Sequence, residues 1–254
     1  VFDPENAVLR DGGWQKFDHF VFVSYWQRDQ YMLIYQIPYS KCSVIHNAIE
    51  LEYHPHQKRT DQIRFIYHTT PHRGLELVYP IFDALSKQYD NIHLDVYSSF
   101  KIYGWEQRDK PYENLFEKLK AHPRITYHGS KSNEEVLEAL KESHIFLFPS
   151  IWQETSCIAM IEAIRSGVLV IHPNYAALPE TSSNATLMYE YTEDRNEHAN
   201  RSFSAVKNIL DAQRIDENFI NKITNSDACN LPRNSINTFK LSLIHISEPT
   251  RLLS

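Results

Sequence analysis

Glu154 and Glu162 stand with seven residues between them in the run Pro149-Ser-Ile-Trp-Gln-Glu-Thr-Ser-Cys-Ile-Ala-Met-Ile-Glu-Ala-Ile-Arg-Ser-Gly-Val168. Glu162 has apolar neighbours on almost every side of a helical stretch, and a helix that is apolar all round is buried. A buried carboxylate needs hydrogen-bond donors. Sugar hydroxyls serve; so does a core amide, hydroxyl or arginine, and the pattern alone leaves both open. The same stretch predicts a helix from Thr155 to Arg165, ended by Gly167. Its first amides, at Thr155, Ser156 and Cys157, would lack intrahelical partners and, with the helix dipole behind them, could cradle a phosphate. Any α/β protein has several such termini, so this feature needs company.

A second candidate lies in His68-Thr69-Thr70-Pro71-His72-Arg73-Gly74. Arg73 precedes a glycine and a helix, where a guanidinium can grip a phosphate with two parallel bonds. The plainer reading is a surface arginine, although a helix start is a slightly unfavourable place for a cation. The closest histidine pairs, His54/His56 and His68/His72, have no carboxylate or cysteine partners at zinc-site spacing. No glycine-rich dinucleotide signature is present, which argues against an NAD-dependent dehydrogenase.

The elements that must position these residues follow a strand–helix rhythm. Strands are predicted at 63–67, 92–97, 125–128, 145–148 and 168–171, and helices at 75–88, 112–120, 133–141 and 155–165. The 133–141 helix opens on a capping box, Ser132 with Glu135. The strands read as nearly continuous apolar runs, as expected when both sheet faces are covered. This is a doubly wound, Rossmann-like α/β pattern with a parallel sheet. Such sheets bind ligands at the carboxyl ends of their strands, which is where both candidate loops fall. Upstream, Phe20–Val23 reads as a strand, Tyr25–Tyr35 as a helix capped by Ser24, and Cys42–His46 as a strand. Downstream, 193–222 reads as largely helical, with Ala205, Val206, Ile209 and Leu210 on one stripe.

The chain has 254 residues, 42% of them hydrophobic, and a net charge of -6. It can bury a real core, and nothing marks a nucleic-acid binder. Cys42, Cys157 and Cys229 are sparse and odd in number, which suggests reduced thiols and a cytoplasmic location. No segment approaches 18 apolar residues, so no membrane span is expected, and no signal peptide is read. The chain begins Val1-Phe2-Asp3-Pro4 rather than with Met, so residues are expected upstream, unless the chain was processed or trimmed. The stretch 241–254 breaks the pattern and resembles translated sequencing-adapter sequence. We expect it to be non-native; an ordinary C-terminal strand and tail is the alternative.

The context around Glu154 and Glu162, together with His128-Gly129 and Leu178-Pro179-Glu180-Thr181, resembles glycosyltransferase family 4, of the two-Rossmann-domain GT-B kind, over about residues 20–190. The resemblance implies a retaining hexosyl transfer from a nucleoside-diphosphate sugar, a UDP- or GDP-sugar, without a bound metal. It implies that Glu162 binds the nucleotide ribose, Glu154 lies by the donor sugar as the candidate catalytic residue, and the amides of Thr155, Ser156 and Cys157 meet the diphosphate or sugar. Arg73 would meet the phosphates, and Gly129, Ser130 and Lys131 would flank the base. Usual members carry a Gly-Arg pair where this chain has Thr69-Thr70, and a lysine where it has Arg73, so one positive charge is missing. The resemblance further implies domains at 1–50 (a remnant of the N-terminal acceptor domain and the crossover), 51–222 (nucleotide-sugar binding) and 223–254 (a tail). The acceptor, whether sugar, lipid-linked or protein, and any peripheral membrane contact would then belong to the missing domain. The chain itself would bind donor without efficient transfer. A non-catalytic module of the same fold, or an epimerase of the same architecture, are the other readings.

Overall fold

In the computed structural model of the protein, residues 4–49, 58–215 and 219–224 are described. The predicted rhythm appears as β3 (Ile63–Tyr67), α2 (Leu75–Ser86), β4 (Ile92–Val96), α3 (Glu113–Ala121), β5 (Ile125–Tyr127), α4 (Asn133–Glu142), β6 (Ile145–Leu147), α5 (Ile158–Arg165) and β7 (Leu169–Pro173). A short helix, α6 (Leu178–Ser182), a further strand, β8 (Leu187–Tyr189), and the helices α7 (Arg195–Ile215) and α8 (Phe219–Thr224) follow. The strands form one parallel six-stranded sheet in the order β5-β4-β3-β6-β7-β8. The order runs outward from β3 on one side and from β6 on the other, so direction reverses between these two strands. Right-handed crossovers then send α2 and α3 to one face and α4 and α5 to the other. The chain is thus a Rossmann-like α/β fold, as its periodicity predicts.

The central strands are apolar because they are covered on both sides: Phe65, Ile66 and Tyr67 of β3 and Ile145, Phe146 and Leu147 of β6 are wholly buried. The α7 stripe read from the sequence also holds, with Val206 and Leu210 buried and Ala205 and Ile209 packed against the same core. Lys58 is buried with its ammonium spent on helix ends. It donates to the Gly167 carbonyl at 2.7 Å and to that of Ser143, just past α5 and α4.

Residues 4–49 form a smaller unit. The strands β1 (Phe20–Phe22) and β2 (Cys42–Val44) pair in parallel, and the helix α1 (Tyr25–Tyr35) connects them. Ser24 caps α1, its Oγ accepting from the Gln27 amide at 3.0 Å, as the sequence predicts. This unit has its own core of Leu9, Phe22, Tyr31, Tyr35 and Ile37. Of the tail, 225–254 lies outside the described residues, so the expectation for 241–254 falls there, as do His54 and His56.

Candidate functional site

The loops after β3 and β6 leave adjacent parallel strands at the point where strand order reverses, and a crevice opens there by topology alone. They are held close together. The Ile151 amide donates to the Arg73 carbonyl at 3.2 Å. Gly74 has φ of 127°, and a Cβ on it would stand 2.3 Å from the Pro149 carbonyl oxygen. Only glycine permits both the backbone angle and this approach.

Arg73 spans the gap. Its Nε donates to Thr70 Oγ1 at 3.2 Å, and its Nη1 donates to Glu154 Oε1. The Arg73 side chain is 20% exposed and that of Glu154 only 4%. Burial pushes the Glu154 carboxyl above the ordinary carboxylate range, and Arg73 pulls it back. Burial opposes the arginine charge in turn, and Glu154 more than offsets it.

A cleft of about 210 Å³ lies alongside, lined by Arg73, Gly129, Ser130, Lys131, Ser156 and Cys157 among others. Six of the nine residues predicted for the site therefore share one cavity. Glu154 stands behind Arg73, while Thr155 and Glu162 are not on the cleft wall. Sequence reasoning named no residue of the loop after β4, yet Tyr97, Ser98, Ser99, Ile102 and Tyr103 line the same cleft. The signal available was the serine pair Ser98-Ser99 directly after the predicted strand 92–97.

The structure changes two details of the α5 region. The helix begins at Ile158, not Thr155, with Cys157 as N-cap. Residues 152–155 are held in a turn instead: the Glu154 amide donates to the Trp152 carbonyl at 2.9 Å, and the Ala177 amide donates to the Glu154 carbonyl at 3.0 Å. Thr155 and Ser156 compete poorly for helical conformation against such a turn. The Ser156 and Cys157 amides thus precede the first helical turn, and Ile158 and Ala159 join the cleft lining. Second, Glu162 is half-buried rather than enclosed. The apolar residues of α5 that face the core are Met160, Ile161, Ala163 and Ile164, which leaves Glu162 at the border with α4. There burial raises its carboxyl above the usual range, and a hydrogen bond from Asn133 offsets part of the rise.

The loop carrying Gly129 to Lys131 is fixed from below. Asp95 of β4 accepts from Arg64 Nη2 at 2.6 Å and lies 2.8 Å from His128 Nε2. Burial would raise its carboxyl, but His128 and Arg64 hold it below the usual range. The His128 ring lies flat on Tyr97, centroids 4.2 Å apart. Gly129 takes φ of 67°, turning the chain toward the Ser132 cap of α4. Lys131 donates to Glu135 at 2.9 Å and stays exposed at the rim.

The half-buried His68 and the buried Cys157 are further titratable or nucleophilic groups of the wall. His68 Nε2 has no hydrogen-bond partner, and burial drives its pKa down to about 3, so the ring is neutral. Burial raises the Cys157 thiol far above its normal range, which makes it inert. Among the described residues, no group of three or more His, Cys, Asp or Glu is arranged to hold a metal.

A parallel sheet whose crevice presents an arginine–glutamate pair, loop amides and neutral polar groups has the chemistry to meet an anionic, hydroxyl-rich ligand. The chain belongs to the family glycosyl transferases group 1, which matches residues 49–223. It is 26% identical over 171 residues to one human phosphatidylinositol N-acetylglucosaminyltransferase subunit, covering 64% of this chain and 33% of that protein. It is 22% identical over 207 residues to the phosphatidylinositol N-acetylglucosaminyltransferase gpi3 subunit of Schizosaccharomyces pombe, covering 80% and 44%. Among solved structures, Anabaena HepE in complex with UDP-glucose matches with a TM-score of 0.66 at 12% identity, over 91% of this chain and 64% of that one. The fold is that of GT-B glycosyltransferases. The chain spans a third to under half the length of the curated relatives it matches.

Proposed function

We propose that this chain is the donor-binding part of a retaining glycosyltransferase of family 4, and that its cleft takes a nucleoside-diphosphate sugar. The observation that carries this reading is the Arg73–Glu154 pair at the reversal of strand order, set beside the cleft lined by Gly129, Ser130 and Lys131. Arg73 can turn its guanidinium toward the diphosphate with little movement. Lys131 and the amides of Ser156 and Cys157 supply further donors, so the phosphate charge is met without a metal. Glu162, beside Asn133 and one turn from the Gly129 loop, suits a ribose whose base lies over Gly129 to Lys131. Glu154, freed from Arg73, accepts from hydroxyls of the donor sugar.

The names of both relatives support N-acetylglucosamine as the sugar and a phosphatidylinositol as the acceptor class, with HepE's ligand supporting UDP as the nucleotide. The residues that would hold an acceptor belong, in this reading, to a domain of which 1–50 is the remnant, and the unpaired Cys42 and Cys157 support a cytoplasmic location. The test is a calorimetric titration with UDP-N-acetylglucosamine, UDP-glucose, a GDP-sugar and an ADP-sugar. We expect the first to bind best, and Arg73→Gln to weaken it by about 1.5–3 kcal/mol, the worth of a hydrogen bond to a charged group. Failure of every nucleotide sugar to bind the folded chain would end the reading.

A further inference from the structure

The first helix of the small unit is capped from the large one. In α1, Ser24 Oγ takes the Gln27 amide and Gln27 Oε1 takes the Val23 amide, which closes the local cap. The first two helical amides are left over. Both are taken by one carboxylate more than 150 residues away along the chain: the Tyr25 amide donates to Glu180 Oε1 at 2.8 Å, and the Trp26 amide donates to Glu180 Oε2 at 3.0 Å. A carboxylate on helix-terminal amides gains both from charge-assisted bonds and from the helix dipole. His46 closes the same contact from β2's side. Its Nδ1 lies 3.6 Å from Glu180 Oε1 and 3.2 Å from the Val23 carbonyl, and its ring meets Tyr25 edge-on.

Glu180 is not free to follow α1 passively. It sits on α6, whose Leu178 is wholly buried, as is Ala177 just before it. The Ala177 amide is bonded to the Glu154 carbonyl at 3.0 Å. The backbone of the loop that pairs with Arg73 is therefore joined through one hydrogen bond, one helical turn and one carboxylate to the first turn of α1.

We propose that Glu180 is a positioning residue that couples occupancy of the donor cleft to the placement of α1. This inference rests on the donor-binding reading above. When a diphosphate draws Arg73 away, the Glu154 turn shifts, α6 moves with it as a packed body, and Glu180 carries α1 and the strands beside it. The coupling runs both ways, because a ligand that tightens the cap is itself bound more tightly when the cap is intact.

The experiment combines hydrogen exchange at the Tyr25 and Trp26 amides with calorimetry, using the full chain, UDP-N-acetylglucosamine as probe, and the variants Glu180→Gln and Glu180→Asp. In the wild type, saturating donor should change exchange at these two amides by about fivefold or more, the low end of ordinary coupling. Glu180→Gln should abolish that response and weaken donor binding by a similar factor, although the residue touches no ligand. Glu180→Asp, one methylene shorter, should give the same loss where the fold tolerates Gln poorly. Donor binding with no change at these amides in the wild type overturns the coupling while leaving the donor reading intact. So does a Glu180→Gln chain that keeps the response. A chain that binds no nucleotide sugar overturns both.

Discussion

Arg73 and Glu154, 81 residues apart in the chain, meet where the sheet reverses its order, with the arginine Nη1 donating to the glutamate Oε1. The pair ties together the two loops that any ligand of this crevice must touch. Its glutamate is the more deeply buried partner, so the two ends of the pair respond differently to loss of the other.

Removing the arginine should therefore destabilise the chain in a pH-dependent way. Arg73→Met leaves a buried carboxylate whose folded pKa, already raised by burial, has lost the side chain that held it down. A carboxyl with a raised folded pKa stabilises below its unfolded value, and that stability is lost as pH rises through the folded one. The deficit against wild type should grow from pH 5 to pH 8, toward about 3–5 kcal/mol for a broken buried pair. Urea titrations at both pH values measure it. A deficit that is the same at both would show that Glu154 does not depend on Arg73 for its charge.

Buried histidines set the opposite trend for the whole chain. His144, His172 and His198 are almost wholly enclosed, and burial lowers each to a pKa of about 4. His172 is spent on Thr186 Oγ1 at 2.7 Å and on the Pro173 carbonyl at 2.9 Å. Since these folded pKa values lie below the ordinary value, the stability they carry is present above about pH 6.5 and lost as pH falls toward 4. Each adds up to about 1.4 kcal/mol per pH unit in that window. Among the described residues the raised carboxyls Glu154 and Glu162 work against this, but they are fewer. We expect unfolding free energy to drop steeply from pH 7 to pH 5, and His172→Gln to shallow the slope by about one proton. A flat profile would mean that these rings are already charged in the folded chain.

The strand–helix rhythm was legible because both periodicities are local. β6 is an unbroken apolar run, β3 is interrupted only by Arg64, and α4 announces itself with Ser132 and Glu135. Arg73 could be named from its chemistry and its loop, and Gly129 to Lys131 only through the family resemblance; all four line one cleft. What the sequence hid is set by tertiary contact. The start of α5 moved to Ile158 because Ala177 and Trp152 hold the Glu154 turn from outside the helix. Glu162 looked enclosed because its neighbours in sequence are apolar, yet it sits at the edge that α5 turns toward Asn133. Glu154, flanked by polar residues, is the buried one. The short elements α6 and β8 lack a run long enough to show a period, and Glu180 enters the sequence reading only within the Leu178–Thr181 motif, with nothing there to link it to α1.

Glu162 should govern nucleotide affinity through its charge. Its carboxyl is raised by burial, with Asn133 holding it partly down, so acidification neutralises it sooner than an exposed glutamate. Glu162→Gln keeps the shape and weakens the acceptor, and we expect a loss of about 1.5–3 kcal/mol in nucleotide binding at pH 8. Wild-type affinity should decline toward the variant's as pH falls through the raised pKa, while the variant stays flat. Calorimetry at pH 8 and pH 5.5 makes the comparison. Unchanged affinity in the variant at pH 8 would remove Glu162 from the site.

The last expectation is that the 254-residue chain binds a nucleotide sugar but transfers little of it. Arg73, Glu154, Ser156 and Glu162 all lie in the six-stranded unit, and loop amides with nearby side chains can satisfy a diphosphate locally. Transfer asks for more. Holding two substrates in register can supply roughly 7–11 kcal/mol of the barrier reduction, and closure must exclude water from the reacting centre. Against the large sheet, the small unit offers, among the described residues, β1 and β2, a two-stranded sheet with a core of five buried side chains. A donor lying on one wall meets water easily, so slow hydrolysis should outrun glycosylation. Supplying UDP-N-acetylglucosamine with phosphatidylinositol vesicles, free sugars and lipid-linked acceptors, and following both released nucleotide and glycosylated product, decides the matter. Acceptor-dependent turnover near 1–10³ s⁻¹, the range of complete enzymes, would overturn the expectation. It would place the second wall of the site on another protein or on a second copy of this chain.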